Sequence, residues 1–450
     1  MSTATGSEGR AQDRSSKGYF PRWKLKTSGV IMPEERLSWG QTVVSGLQHC
    51  VAMSGSTIIA PLLMGFDPNV AVLFSGVGTL IFFVIVAGRV PSYLGSSFAF
   101  IAVVIAATGY AGHGPNPNLS VGLGGIVGAG VVYGVIALIV MWSGVGWVER
   151  LLPPAVTGAV VAAIGLNLAP VAVKAVSAGA FDTWIGLATV LIIGMVAVAH
   201  HGLWRRLPII LGAIGGYLLV LLFANGLGFG TPIDFTQLSA APWLGLPNFT
   251  APSFHVDAIV LIAPVAIILV AENLGHIKAV GAMTGRSLDG YLGRALLADS
   301  LATIVAACGG GTGVTTYAEN IGVMAATKVY STLLFAFAAI VSILLGFSPK
   351  FGALILSIPG PVIGGLSIVL FGLIAAMAGR IWVENKVDFA NPANLITVAV
   401  ALTAGAGDLT LKFGAFTIGG IGTATFGAII LYQILTSPLA RRAEGIPGMR

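Results

Sequence analysis

Three acidic side chains of this 450-residue chain lie inside apolar stretches: Glu272, Asp299 and Glu319. Asp67, Glu149, Asp182, Asp234, Asp257, Asp289, Glu384, Asp388 and Asp408 fall in or beside loops instead. An ionisable group at membrane depth costs about 2.5–3.5 kcal/mol or more, so it marks a solute or proton path by default. The structural alternative is that each carboxyl caps a broken helix or bonds a neighbour, and for Asp299 the two readings weigh evenly. Glu272-x-x-x-His276 sets a carboxylate and an imidazole one turn apart on one helical face. That pair suits a proton relay, because a carboxyl and an adjacent imidazole can share a proton. It equally suits an amide-like ring, the carboxylate accepting an N–H and the imidazole reaching a carbonyl. His49, in Gln48-His49, reads either as the counterpart of this pair or as a hydrogen-bonded core residue. His113, His200, His201 and His255 fall in loops. Phe98 and Tyr317 offer faces for a flat ring, although aromatic side chains in such segments mostly serve packing.

Other chemistries lack their residues. The glycine-rich run 309–315 has no lysine of a phosphate-binding loop, and no His-Glu-x-x-His zinc motif occurs. Cys50 and Cys308 offer neither a disulfide framework nor metal-ligand spacing. No nucleophile–base pair converges in the apolar segments, so neither an enzyme nor a cofactor or metal is expected.

The elements that must carry these residues follow from composition. The chain is 56% hydrophobic and 9% charged, with a mean hydropathy of +0.93. Soluble domains carry about 25% charged residues, so this composition implies a polytopic, all-α membrane protein. The net charge of +6 does not point to nucleic acid, because the basic residues gather at segment ends. A crossing needs roughly 20 apolar residues, fewer in a broken helix. Fourteen candidate spans lie near 41–63, 69–87, 97–110, 121–143, 154–174, 183–200, 207–228, 256–277, 294–308, 313–326, 330–347, 358–378, 391–406 and 414–436. With the N-terminus inside, 20 Lys and Arg fall on the cytoplasmic side; only Lys174, Lys350 and Lys412 fall outside. Such asymmetry supports an even count with both termini cytoplasmic. Seven of the eight Trp lie near proposed segment ends, as interfacial anchors do.

Two spans are too short and polar for ordinary helices, those containing Gly95-Ser96-Ser97-Phe98-Ala99-Phe100 and Gly313-Val314-Thr315-Thr316-Tyr317-Ala318-Glu319-Asn320. Ser-Ser-Phe-Ala at 96–99 matches Thr-Thr-Tyr-Ala at 315–318, an offset of 219. Pro154-x-Val156-x-Gly158-x6-Gly165-Leu166 recurs as Pro361-x-Ile363-x-Gly365-x6-Gly372-Leu373, an offset of 207. Two related motifs in one order argue for a duplication of seven segments. Seven is odd, so the second copy enters the bilayer inverted, and the interrupted segments of both copies then meet near the midplane. Their free backbone groups would be tolerated there only around a cavity or buried in protein.

These residues also carry a resemblance. Glu319-Asn320-x-Gly322-x4-Thr327-Lys328 resembles the signature of the nucleobase–ascorbate transporter (nucleobase:cation symporter) family. Gln48-His49 and 95–100 resemble two further family motifs, and the likeness runs from about 35 to 436. Within the family, the runs 90–97 and 317–324 are most similar to the bacterial pyrimidine permeases. The resemblance implies fourteen segments in a seven-plus-seven inverted repeat, two interrupted segments carrying short strands, and proton-coupled import by an elevator-like motion. It implies a homodimer in the bacterial cytoplasmic membrane, with the proton gradient in place of a cofactor. The expected divisions are a disordered cytoplasmic tail (1–38), core-domain halves (39–150 and 256–348), gate-domain halves (151–228 and 349–437), an outer loop (229–255) and a cytoplasmic tail (438–450). By motif, Glu272 and Glu319 would bind ring N–H groups and the amides of Phe98, Ala318 and Glu319 would meet ring carbonyls. His276, Asp299 and His49 would join the proton path, with Tyr317 beside the solute. Ser56 and Phe371 stand where uracil permeases carry Ala and a gate Tyr, and Ala318 replaces a Gly, so Ser56 is a further candidate contact.

Overall fold

The computed structural model describes residues 18–110, 114–198, 208–413 and 416–437. Without water, backbone groups must be satisfied within the segment, so apolar runs of this length become helices. Ahead of them, β1 (Lys24–Leu25) and β2 (Glu35–Arg36) pair in parallel. Helices α1 (Trp39–Met64) and α2 (Pro68–Ile85) precede β3 (Leu94–Ser96), a 3-10 turn at Phe98–Phe100, and α3 (Ile101–Thr108). Then come α4 (Leu119–Ser143), the short α5 (Gly146–Leu151), α6 (Pro154–Val176) and α7 (Ala180–Val198). Helix α8 (Pro208–Val220) ends in a π-helical turn, and a loop carrying α9 (Thr236–Ala240) leads to α10 (Val256–Ile262). Next are α11 (Val265–Thr284), α12 (Asp289–Cys308), β4 (Val314–Thr316) and α13 (Ala318–Thr327). The chain closes with α14 (Leu333–Gly346), α15 (Pro349–Leu356), α16 (Gly360–Glu384), α17 (Pro392–Ala406), a β5 (Leu411–Phe413) to β6 (Phe416–Ile418) hairpin, and α18 (Gly420–Leu435).

Among the described residues, nine helices are long and apolar enough to cross a membrane, or ten if the bent α14–α15 pair is one span. That pair turns through 82° at Phe347-Ser348. The Ser348 hydroxyl accepts from Phe351 N and Pro349 occupies the first helical position, a strong start signal that ends the preceding run. The segment expected at 256–277 is one membrane-length span, Val256–Thr284, with a local irregularity at Ala263-Pro264, where proline has no N–H to continue α10. The loop at 229–255 carries α9, a helix absent from the sequence reading.

Residues 18–38, assigned from sequence to a disordered tail, are instead seated against the helices. Tyr19 donates to Val84 O (2.9 Å), Phe20 stacks on Phe83, and Trp23 Nε1 donates to Thr332 Oγ1 (2.9 Å). Ile31 is buried, bridging to Val329, and Glu34 pairs bidentately with Arg286. Three aromatic rings and Ile31 supply apolar surface that a Ser- and Lys-rich composition conceals. Residues 1–17 and 438–450 lie outside the described residues, as do His113, His200 and His201.

Packing falls into two groups. Helices α1, α2, α11 and α12 pack on β3 and β4, with α4 and α14 against those helices, whereas α6, α7, α8, α16, α17 and α18 pack mainly on one another. Small residues allow the close approaches: a Cβ at Gly46 would come within 2.8 Å of Leu334 O, and one at Gly165 within 2.6 Å of Phe371 O.

Candidate functional site

The two interrupted segments meet. β3 and β4 pair antiparallel, Leu94 opposite Thr316, Gly95 opposite Thr315 and Ser96 opposite Val314. The crossing is extended by Ser97 N donating to Gly313 O (2.8 Å) and Tyr317 N donating to Tyr93 O (3.0 Å). A Cβ on Gly95 would stand 2.6 Å from the Tyr317 ring, so only glycine admits this contact. The Tyr317 hydroxyl donates to Ser96 O (2.8 Å) and accepts from Thr57 Oγ1 (3.1 Å), tying the crossing to α1.

Each strand runs directly into a helix start. The Ser97 hydroxyl accepts from Ala99 N (3.3 Å), leaving the Phe98 amide at the head of the turn. Helix α13 begins at Ala318, and among the described residues no side chain caps it, so the Ala318 N–H is available to an acceptor. Helix N-termini carry partial positive charge and favour electron-rich groups such as ring carbonyls.

Around these donors stand the carboxyls. Glu319 occupies the first turn of α13, where the buried Ser56 hydroxyl donates to its Oε1. Glu272 and His276 are half-buried on α11, and Glu272 lies within electrostatic reach of both Asp299 and Glu319. Among the described residues no side chain hydrogen-bonds the Glu272 carboxylate. Half-buried Phe98 meets Phe371 of α16 edge to face at 5.9 Å, so an aromatic pair bridges the two packing groups.

Behind Glu272 runs a buried polar chain. His276 Nδ1 is 2.8 Å from Thr316 Oγ1, and that hydroxyl donates to Asn273 Oδ1 (2.8 Å). Asn273 Nδ2 donates to Asp299 Oδ2 (2.5 Å) and to the Tyr133 hydroxyl (2.8 Å). Asp299 is fully buried, and among the described residues its Oδ1 has no hydrogen-bond partner.

His49 stands apart from this chain. Asn320 Nδ2 donates to His49 Nδ1 (3.0 Å) and to the His49 carbonyl (3.1 Å), while the ring lies 4.7 Å from Phe335. The arrangement pins α13 to α1 through the ring's acceptor nitrogen. Glu272, His276, Asp299, Glu319, Ser56, Tyr317, Ala318 and Phe98 thus share one region around the crossed strands, and His49 sits behind α13. Sequence reasoning passed over Asn273, Tyr133, Thr316 and Thr57, which bind the region together. The available signal was a neutral polar side chain beside an acidic one at membrane depth, as in Glu272-Asn273. Among the described residues no cluster of three or more His, Cys, Asp or Glu could hold a metal ion.

The fold is that of a known class of membrane transport proteins. The transmembrane domain of the cyanobacterial bicarbonate transporter BicA superposes with a TM-score of 0.61 at 16% identity, covering 88% of this chain and 98% of that one. The inward-facing murine anion transporter Slc26a9 gives 0.65 at 11% identity, covering 90% and 69%. Identities this low speak for the fold alone. Residues 40–413 match the Permease family, Xan_ur_permease. The chain belongs to that family, the nucleobase–ascorbate transporters, whose members are transporters rather than enzymes. A protein of Escherichia coli strain K12 named as a pyrimidine permease, RutG, is 61% identical over 93% of this chain and 96% of its own length. The uracil permease of Paenibacillus larvae is 39% identical over 89% and 96%, and that of Escherichia coli strain K12 is 36% identical over 91% and 95%.

Proposed function

We propose that this protein imports pyrimidine nucleobases, uracil and thymine, together with protons across the bacterial cytoplasmic membrane. The observation that carries the reading is the β3–β4 crossing, which sets two helix starts against Glu272 and Glu319. A pyrimidine ring presents two N–H donors and two carbonyls on a flat body. Glu272 and Glu319 accept the N–H groups, and the amides of Phe98, Ala318 and Glu319 meet the carbonyls. Phe98 and Tyr317 flank the ring, and Ser56 orients Glu319. An analogue lacking one N–H leaves a buried carboxylate unpaired, which is costly and makes recognition selective. Glu272 takes its proton from the outside and releases it inside, with His276 and Asp299 in the same polar chain; His49 serves to hold α13. The names of the uracil permeases and of RutG support this substrate class.

In this reading α1–α4 and α10–α14 belong to the core domain and α6–α8 and α15–α18 to the gate. The fourteen segments form a seven-plus-seven inverted repeat, with both termini cytoplasmic. The core carries the crossed strands along the gate in an elevator-like motion, and two copies associate as a homodimer. There are two other readings. Asp299 stands at a position where the resemblance gives purine-type members an acid, which favours xanthine. The other is an anion carrier on the same fold, against which stands that Glu272 and Glu319, and among the described residues no Lys or Arg, flank the crossing.

The test is uptake of labelled uracil by cells lacking their own permeases, at acidic and alkaline external pH, against unlabelled thymine, xanthine and sulfate. Acid-stimulated uptake blocked by thymine is the expected result. Competition by xanthine alone moves the substrate to purines, and blockade by sulfate overturns the site.

A further inference from the structure

The hydrogen-bond directions in the chain behind Glu272 are determined by proton counting. A hydroxyl has one proton to donate. Thr316 gives its proton to Asn273 Oδ1, which can only accept, so His276 Nδ1 must be the donor to Thr316 Oγ1. A neutral imidazole with its proton on Nδ1 has a bare, accepting Nε2. The orientation of Asn273 is set in turn by Asp299, because an ionised carboxylate accepts and requires the amide nitrogen to face it.

We propose that Asn273 is a positioning residue that reports the protonation of Asp299 to the ring edge His276 presents to the solute. When Asp299 gains a proton, its new O–H donates to Asn273 Oδ1 and the carboxamide turns over. Asn273 Nδ2 then donates to Thr316 Oγ1, and the Thr316 proton turns to His276 Nδ1. The ring releases its Nδ1 proton to water and takes one from water on Nε2. That exchange balances, and the network as a whole gains the single proton on Asp299. The ring nitrogen not engaged by Thr316 thereby changes from acceptor to donor. A solute with both N–H and carbonyl groups is held differently by the two states, which links its affinity to a proton bound on the far side of Asn273.

The surroundings leave Asp299 as the group that sets the direction. The elements packed on α12 are α2, α4, α11 and β4. α2 and β4 carry no ionisable side chain, α4 contributes Tyr133, and α11 contributes Glu272, His276 and Lys278. Lys278 is half-exposed and paired with Glu149. Asp299 and Glu319 both act on Glu272 through space. Neither glutamate hydrogen-bonds the Asn273 side chain, which is within hydrogen-bond distance only of Leu269 O, Tyr133, Asp299, Thr315 and Thr316 among the described residues.

This inference rests on the nucleobase reading only for the identity of the solute, and its test does not need transport. Full-length protein labelled with 15N-histidine in lipid nanodiscs shows which ring nitrogen of His276 carries the proton, the signal being assigned by its loss in His276→Gln. The wild type is expected to show the Nδ1–H form at alkaline pH and the Nε2–H form as pH falls. In Asn273→Leu and in the isosteric Asp299→Asn the form should no longer change with pH. A wild-type ring whose form is independent of pH overturns the proposal. So does a switch that persists in Asn273→Leu or, should that variant fail to fold, in Asp299→Asn. Uracil binding measured on the same samples should lose part of its pH dependence in both variants, the part that Glu272 contributes remaining. If uracil does not bind the wild type while the ring still switches, the substrate reading fails and the relay stands.

Discussion

Replacing Tyr317 by Phe removes one oxygen from the crossing and little else. The ring is 4% exposed, so phenylalanine keeps the apolar burial and the packing on Gly95. What goes is a donation to Ser96 O at 2.8 Å and an acceptance from Thr57 Oγ1 at 3.1 Å. Ser96 and Thr57 are both fully buried, so neither finds solvent in exchange. Two neutral hydrogen bonds at about 1 kcal/mol each give a loss of about 2 kcal/mol, or roughly 30-fold in the opening equilibrium of the crossing. Amide hydrogen exchange reads that equilibrium locally. The amides of Ser97 and Tyr317, which bond across the crossing, should exchange roughly 30-fold faster in Tyr317→Phe, while those of α4 and α6 keep their wild-type rates. Acceleration of less than about twofold, equivalent to about 0.4 kcal/mol, would refute the argument that this hydroxyl locks the two strands.

Glu272→Ala should abolish uptake while the protein remains folded in the membrane; normal accumulation by that variant would remove Glu272 from the site. Glu319→Gln should also lose uptake, since the amide keeps an oxygen for the Ser56 hydroxyl but loses the charge and turns one acceptor into an NH2 donor, whereas an anion carrier would tolerate the change. Gly95→Ala should reduce solute binding by pushing Tyr317 off the crossing, at a cost of about 1–3 kcal/mol, and unchanged binding would show that the strands have slack. The ion pair of the N-terminal strap predicts a pH effect. Burial would raise the Glu34 carboxyl, but the hydrogen bond and charge of Arg286, with Arg89, hold it below the ordinary value of 4.5. Its contribution is therefore complete above that value and is lost as pH falls through the depressed one. Hydrogen exchange in residues 18–36 should rise on acidification through the depressed Glu34 value, below the ordinary carboxylate range, and Arg286→Gln should produce the same rise at neutral pH; equal protection in both would mean the aromatic contacts suffice.

Much of the site was legible because ionisable groups in an apolar sequence are conspicuous. Glu272, Asp299 and Glu319 stand out against their neighbours, and the shortness of 95–100 and 313–320 announces broken segments. Asn273 gave no such signal, since neutral polar residues are common in helices that bond their own backbone, and Thr316 was one hydroxyl among several in its broken segment. Their importance arises only when α11, α12 and β4 pack together. The strap at 18–38 was misread for a compositional reason: Tyr19, Phe20, Trp23 and Ile31 are diluted among charged and small residues, and their seat on α2 and the residues before α14 is contributed by distant sequence. The bend between α14 and α15 was visible in Ser348-Pro349 but was absorbed into a loop between two spans.

The pairing of β3 with β4 also has a consequence for biosynthesis. β3 leaves the ribosome some two hundred residues before the partner that satisfies its edge. Until β4 arrives, the peptide groups of Leu94–Ser96 have no ladder, and a bare strand edge in lipid is strongly unfavourable. The early segments must therefore wait in a provisional arrangement, sheltered by the insertion machinery or by water. The seat forms in one late step, when the second half of the chain enters the membrane. Truncated products ending before residue 314 should be unable to complete it, which gives quality control a simple difference between finished and unfinished chains.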